Sequence, residues 1–558
     1  MTDNFDVEMR LDVKVPMRDG IELSADIYLP KAKGPFPVVL MRTPYSNNMD
    51  PVIVKARGLA NRGYVCIVQD VRGRWDSAGE YYAFHQEVDD GFDTQEWIGQ
   101  QDWCDGNIGM AGSSYGGCVQ WLSAPLKSKY LKAMVPRVMC TDYYQGLMHP
   151  GGAFQLNVMM TWGMRTNGRT GQSIDYHNWT EAFRALPLTD LAGNAGRDLQ
   201  FWKDWLAHPD DDEYWNEVNT DRRFDEIEVP ALIMGGWYDL YANDAFDNFT
   251  GLRERGGSET ARGSKLIVGP WPHALSTSTK TGDIDFGAES LLDLDGIELR
   301  WFDRWLKGIE IGVEEAPIRI FVMGVNRWRD EQEWPLARTD WQSWNLHSDG
   351  GANSASGDGR LSLAPVSNDQ VDHFTYDPEF PVQTLGGNNC CSPDIVPWGP
   401  YDQRPAEARQ DVLCYTTDVL TEDMEVTGPI RLKLFASTDG LDTDWTAMLV
   451  DVSPTGYAKN LCDGIIRARY RKGFDKAVLL EPGTVYEYEI KVGVTSNVFK
   501  KGHRIRLEVS SSNFPRFDRN LNTGGELYSE TEMRVARQAV HHSAEHPSQL
   551  ILPVIPHA

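Results

Sequence analysis

The chain has 558 residues, 41% of them hydrophobic and 24% charged, with a formal net charge of -27 at pH 7. At about 150 residues per domain this length implies three or four units rather than one core. The acidic excess argues against nucleic acid and anionic membrane surfaces as partners, because both require clustered Lys and Arg.

No stretch approaches the roughly 18 apolar residues that span a bilayer. The opening MTDNFDVEMRLDV has neither a basic nor an apolar leader region, so no secretory signal is expected. The eight cysteines (Cys66, Cys104, Cys118, Cys140, Cys390, Cys391, Cys414 and Cys462) show no C-x-x-C spacing. The adjacent Cys390–Cys391 pair is poorly placed for an ordinary local bridge. A reduced, cytoplasmic protein is expected, with most cysteines serving as small apolar residues.

Three textures follow in chain order. Up to about residue 144, short apolar runs such as Pro37–Met41 and Tyr64–Val68 alternate with helical spacing over Val52–Arg62 and Gly91–Gln100. Strands buried on both faces of a parallel sheet have this pattern. From 145 to 229 strand-like runs give way to aromatics at helical spacing, which predicts a helical insertion. Parallel-sheet runs return at Ala231–Gly235 and Lys265–Gly269. Past the Gly/Ser-rich stretch 350–359, read as a linker or exposed turn, period-two runs at Ile430–Phe435, Tyr486–Val492 and His503–Val509 mark a β-sandwich. The expected division is 1–144 and 230–345 for an α/β domain, 145–229 for its helical cap and 346–558 for the sandwich.

Gly112-Ser113-Ser114-Tyr115-Gly116 fits G-x-S-x-G, the pattern of a serine on a tight strand-to-helix turn in the α/β-hydrolase class. The glycines are needed because neighbouring backbone approaches closely there. In that class the acid and then the base follow the serine along the chain. Asp239, after the run Ala231–Gly235, and His273, after Lys265–Gly269, lie at consecutive strand ends in that order. Strand C-termini are where α/β sheets carry their sites. No metal-ligand or cofactor fingerprint is found, and the pair His541-His542 is read as solvated.

The residues Arg42-Thr-Pro-Tyr45, Asp70-Val-Arg-Gly-Arg74, Asp89-Asp-Gly-Phe-Asp-Thr94, Gly112-x-Ser114-Tyr115-x-Gly117, Gly236-Trp-Tyr-Asp239, Gly269-Pro-Trp-x-His273 and Ser511-Ser-Asn-Phe-Pro-Arg-Phe-Asp-Arg-Asn520 carry a resemblance across nearly the whole chain. It resembles the X-prolyl dipeptidyl aminopeptidase and cocaine esterase family of serine hydrolases, which also includes α-amino-acid ester hydrolases and cephalosporin acylases. That resemblance implies an α/β-hydrolase domain with an inserted helical cap and a C-terminal jelly-roll sandwich. It implies Ser114 as nucleophile, His273 as general base, Asp239 as orienting carboxylate, and Tyr45 with the Tyr115 N–H as oxyanion donors.

Asp239 is followed by Leu-Tyr-Ala-Asn, without the Glu-Asp pair of the amino-ester branch. The chain is more similar to the cocaine esterase branch, where positions matching Trp162 and Tyr241 flank the acyl group. A small ester or amide substrate is therefore expected, with no cofactor and room for a homo-oligomer. Peptidase, acylase and acyltransferase activities stay open, as does a binding module with an inactive hydrolase domain.

Overall fold

The computed structural model describes residues 4–310, 316–366 and 369–556. Strands β1 (Val7–Pro16), β2 (Glu22–Pro30), β3 (Phe36–Thr43), β4 (Val65–Asp70), β5 (Cys104–Ser113), β6 (Leu131–Arg137), β7 (Leu232–Gly236) and β8 (Lys265–Gly269) belong to one sheet. Its order is β1-β2-β4-β3-β5-β6-β7-β8, continued by Ile318–Val322 and Arg327–Glu331. From β4 to Ile318–Val322 all neighbours are parallel. The two outer pairs, β1 with β2 and Ile318–Val322 with Arg327–Glu331, are antiparallel.

Every residue of β4 is buried, as its unbroken apolar run demands of a central strand. The two helical patterns read from the sequence fold as α1 (Asp50–Asn61) and α2 (Glu87–Gly99). A proline at the start of α1 costs no hydrogen bond, and its apolar face buries Ala56, Leu59 and Ala60. Between Val138 and Pro230 no strand forms; the chain there is helical, with Leu156–Thr166 and Gln200–Ala207 its longest pieces. Trp202, Trp205 and Trp215 are wholly buried within it, which accounts for its aromatic content.

The rest is an all-β unit whose longest pairing joins Met424–Thr438 to Tyr486–Phe499. The strand Asp340–His347 already belongs to it, pairing with Gln549–Ile555, so this unit starts ahead of the expected residue 346. The stretch 350–359 is no linker between units: Ala352 N–H donates to Asp372 at 3.0 Å and Ser354 N–H to Val412 O at 2.8 Å inside the β unit. His542 corrects the solvated reading. It is buried, with Nε2 2.9 Å from Asp372 and 2.9 Å from the Ser348 hydroxyl. A polar C-terminal sequence concealed it because its partners come from distant strands.

The units are joined by buried polar contacts. Asp518 accepts from Phe154 N–H at 2.8 Å and from Arg467 at 2.9 Å, and Arg467 also pairs with Asp444 at 2.9 Å. Among the described residues no helix is long and apolar enough to cross a membrane. Replacing Arg467 by Ala leaves two buried carboxylates without their cation, and should cost about 3–5 kcal/mol. Urea denaturation measures this; a loss under about 1 kcal/mol would mean that water reaches the cluster.

Candidate active site

β5 runs directly into α3 (Tyr115–Ser123), and Ser114 occupies the junction at φ 56°, ψ -122°. This is a left-handed, strained conformation for a serine, held by Ser114 N–H to Arg137 O at 2.9 Å. A Cβ on Gly112 would lie 2.7 Å from Gly116 O, and one on Gly117 3.0 Å from Arg137 O. The glycines are thus required by backbone crossing beneath the serine. Tyr115 opens α3, so its N–H has no partner within the helix.

Asp239 follows β7 and His273 follows β8. The strand ends close on each other through Trp237 N–H to Gly269 O at 2.8 Å and Tyr238 N–H to Trp271 O at 3.1 Å. Gly236 makes the approach possible, since a Cβ there would meet Trp271 O at 2.2 Å. Asp239 is fully buried and its Oδ1 lies 2.8 Å from Nδ1 of His273; its Oδ2 has no partner among the described residues. The imidazole keeps 14% of its side-chain surface exposed. Among the described residues, no Ser114–His273 hydrogen bond is formed. Such contacts are commonly long before substrate arrives.

Tyr45 projects from the turn after β3. Trp162 donates from Nε1 to its hydroxyl oxygen at 3.0 Å, which leaves the phenolic proton free to point elsewhere. Burial raises the Tyr45 pKa, and this keeps the phenol a neutral donor. The turn is pinned from below. Arg74, itself buried, donates from Nε to Pro44 O at 2.9 Å, and Asp70 accepts from Asn47 N–H at 2.7 Å.

Ser114, Tyr45, Tyr115, Trp162 and Tyr241 line one pocket, so the expected site residues other than Asp239 and His273 share it. Its remaining walls are Phe84, Met139, Leu147, Val158, Met159 and the pair Cys390–Cys391. Trp162 lies nearly parallel to Phe84, with centroids 5.7 Å apart, and Tyr241 sits 5.9 Å from the His273 ring.

Several residues around the site escaped the sequence reading. Behind Tyr115, its hydroxyl donates to Glu87 at 3.0 Å, and Glu87 is paired with Arg42 at 2.8 Å out of contact with water. Asn388 reaches in from the β unit and donates to Trp237 O at 2.9 Å and Asp239 O at 2.8 Å. Cys390 and Cys391 are joined by a disulfide, contrary to the expectation for adjacent cysteines. The other cysteines are free and all but Cys104 are buried, as expected of small apolar residues. The disulfide lies against His273: one nitrogen of the ring and both sulfurs fall within 4.8 Å of one another. The Asn-Asn-Cys-Cys run 388–391 was the available signal, but nothing local ties it to a histidine more than a hundred residues earlier.

A strained serine at a strand–helix turn, a buried acid–imidazole pair at the next strand ends and an all-β C-terminal unit define a serine hydrolase of the α/β-hydrolase class. The chain belongs to the X-Pro dipeptidyl-peptidase and cocaine esterase family. Residues 19–275 match the X-Pro dipeptidyl-peptidase (S15 family) and 312–551 the X-Pro dipeptidyl-peptidase C-terminal non-catalytic domain. It is 38% identical to the cocaine esterase of Rhodococcus sp. (strain MB1 Bresler), with 98% of each chain covered. Among solved structures, an aminopeptidase from a marine sediment Thaumarchaeota archaeon superposes with a TM-score of 0.85 at 27% identity, covering 100% of this chain and 98% of that one. An α-amino acid ester hydrolase gives 0.85 at 26% identity, covering 99% and 97%.

Burial pushes the Asp70 carboxyl up to about 7, despite the Asn47 N–H it accepts. The fold therefore favours protonated Asp70. The stability this gives is fully present below the ordinary carboxyl range and is lost as pH rises through about 7. Asp70→Asn removes that titration. The stability of the native chain relative to this variant should fall between about pH 4 and about pH 7 in urea titrations and level off above that. A difference that does not change with pH would contradict the assignment.

Proposed function

We propose that the chain hydrolyses carboxylic esters of bulky or aromatic acyl groups through an acyl-enzyme on Ser114. In this reading His273 takes the Ser114 proton as the hydroxyl attacks, Asp239 holds the imidazole by its Nδ1–H, and the oxyanion receives hydrogen bonds from Tyr45 and the Tyr115 N–H. The protonated imidazole then passes its proton to the leaving alcohol. Water repeats the sequence on the acyl-enzyme and releases the acid. Trp162 has two tasks: its ring walls the acyl group, and its N–H turns the Tyr45 hydroxyl outward.

The acyl preference rests on one observation, a pocket lined by Phe84, Trp162, Tyr241 and aliphatic or thioether side chains with no carboxylate among its described residues. Flat, polarisable walls favour an aromatic or branched acyl group. A free α-ammonium would find no counter-charge there, which sets amino-acid esters and N-terminal dipeptides below neutral acyl esters. The helical stretch 145–229, which supplies Val158, Met159 and Trp162, acts as the cap over this pocket. We place the protein in the cytoplasm, where six of its eight cysteines stay free and the Cys390–Cys391 bridge is open to reduction.

Ser114→Ala should abolish both p-nitrophenyl ester turnover and fluorophosphonate labelling. Asp239→Asn should lower kcat roughly 10⁴-fold with little change in binding. Near-normal turnover in either variant would overturn the triad. Trp162→Phe keeps a ring but removes the N–H, and should cost about 5- to 10-fold in kcat. Across p-nitrophenyl esters and amino-acid anilides, aromatic acyl esters should give the highest kcat/KM. A preference for anilides with a free amine would contradict the acyl reading.

A further inference from the structure

The pair Cys390–Cys391 belongs to the β unit, yet it forms one wall of the pocket that holds Ser114 and sits against His273. Its loop is clamped from two sides and braced internally. Asn388 donates to the backbone oxygens of Trp237 and Asp239, Asn389 to Gly386 O at 3.0 Å, and Arg165 of the helical stretch to Cys391 O at 2.8 Å. These contacts involve side chains other than the sulfurs and Cys391 only through its carbonyl. Opening the disulfide therefore leaves these contacts, and the loop beside the imidazole, in place.

A reduced pair would present two soft ligands and one imidazole nitrogen at a single point. The ligand atoms lie within 4.8 Å of one another, whereas the donors on a tetrahedral zinc ion stand roughly 3.3–3.8 Å apart, given Zn–S of about 2.3 Å and Zn–N of about 2.0 Å. On reduction the two sulfurs must move apart from bonding distance to about 3.8 Å, while the ring nitrogen and the sulfurs close by up to about 1 Å. Nδ1 of His273 lies 2.8 Å from buried Asp239, the kind of partner that metal-binding histidines require, which leaves Nε2 as the ring nitrogen to donate its lone pair to a metal.

We infer that the reduced Cys390–Cys391 pair and His273 form a site for a soft divalent cation such as Zn²⁺ or Cd²⁺, and that its occupation shuts off the hydrolase. The inference rests on His273 being the general base. A dithiol reductant supplies two electrons and two protons to the Sγ–Sγ bond and itself becomes a disulfide, leaving two thiols. Binding then releases those two thiol protons to solvent, and the Nε2 lone pair that would accept the Ser114 proton is donated to the metal instead. In the disulfide form the sulfurs carry no anionic charge, and the site does not exist. The chain so read has a metal-sensitive dithiol state and a metal-resistant disulfide state.

The test compares the full-length chain as the disulfide with the chain reduced by dithiothreitol and freed of it anaerobically. Each is titrated with Cd²⁺ and Zn²⁺, following the ultraviolet Cd–thiolate absorption, bound metal per chain by equilibrium dialysis, and aryl ester turnover. The reduced chain should bind one further metal ion with a thiolate signature, and lose at least about 100-fold in turnover, the scale of a lost general base. A chelator should restore it. The disulfide form should lack the signature and keep its rate. Cys390→Ala/Cys391→Ala, compared with its own metal-free rate, should be insensitive, and Cys104→Ala should behave as the native chain. Equal metal inhibition of the double variant would overturn the proposal, as would a reduced chain that gains no Cd–thiolate absorption. Absorption without inhibition would separate the metal site from the base and so count against His273, whereas no turnover in any form together with a normal metal signature would count against the esterase reading alone.

Discussion

Asp239 is a carboxylate withdrawn wholly from water, with one oxygen on His273 and the other without a partner among the described residues. A buried charge of this kind is costly unless its surroundings are fixed, and much of the local architecture serves to fix it. Gly236 lets the ends of β7 and β8 meet, the backbone of Trp237 and Tyr238 bonds across to β8, and Asn388 closes the turn from the β unit. The imidazole has one orientation open to it as a result. The hydrogen bonds from Asn388 make the second unit a structural component of the site rather than an appendage, although the family description of that region calls it non-catalytic.

The serine is held on the same principle with different means. Its turn is strained, and Gly112 and Gly117 allow backbone to pass where a side chain would collide. Behind it the buried Arg42–Glu87 pair anchors the Tyr115 ring, and buried Arg74 anchors the Tyr45 turn. Arg42 and Arg74 thus serve placement on either side of the position proposed for the oxyanion. Rigid support of this kind is what electrostatic stabilisation of a transition state requires, since donors that must reorganise lose most of their value.

The sequence made the parallel strands legible because unbroken apolar runs such as Tyr64–Val68 admit few other readings, and the strand ends then pointed to Asp239 and His273. Ser114 was legible because the physics of its turn is local. Tyr45 was legible through family resemblance only, for nothing near it in sequence reveals the Trp162 N–H that orients its hydroxyl. The contacts that stayed hidden are long-range: Asn388 to Asp239, the Cys390–Cys391 disulfide against His273, and His542 on Asp372. The period-two pattern identifies strands of the β unit without revealing which loop lies over the neighbouring site. The outer pair Ile318–Val322 and Arg327–Glu331 was missed because it falls where the texture changes, though it extends the first sheet.

The account stands on a covalent intermediate at Ser114. The most direct measurement quenches the enzyme during turnover of an aryl benzoate and locates added mass by peptide mass spectrometry. A benzoyl group on the peptide carrying Ser114, absent from Ser114→Ala and accumulating in Asp239→Asn if deacylation slows more than acylation, is the predicted result. Full turnover with no acylated peptide at any quench time, or acylation at another residue, would contradict it.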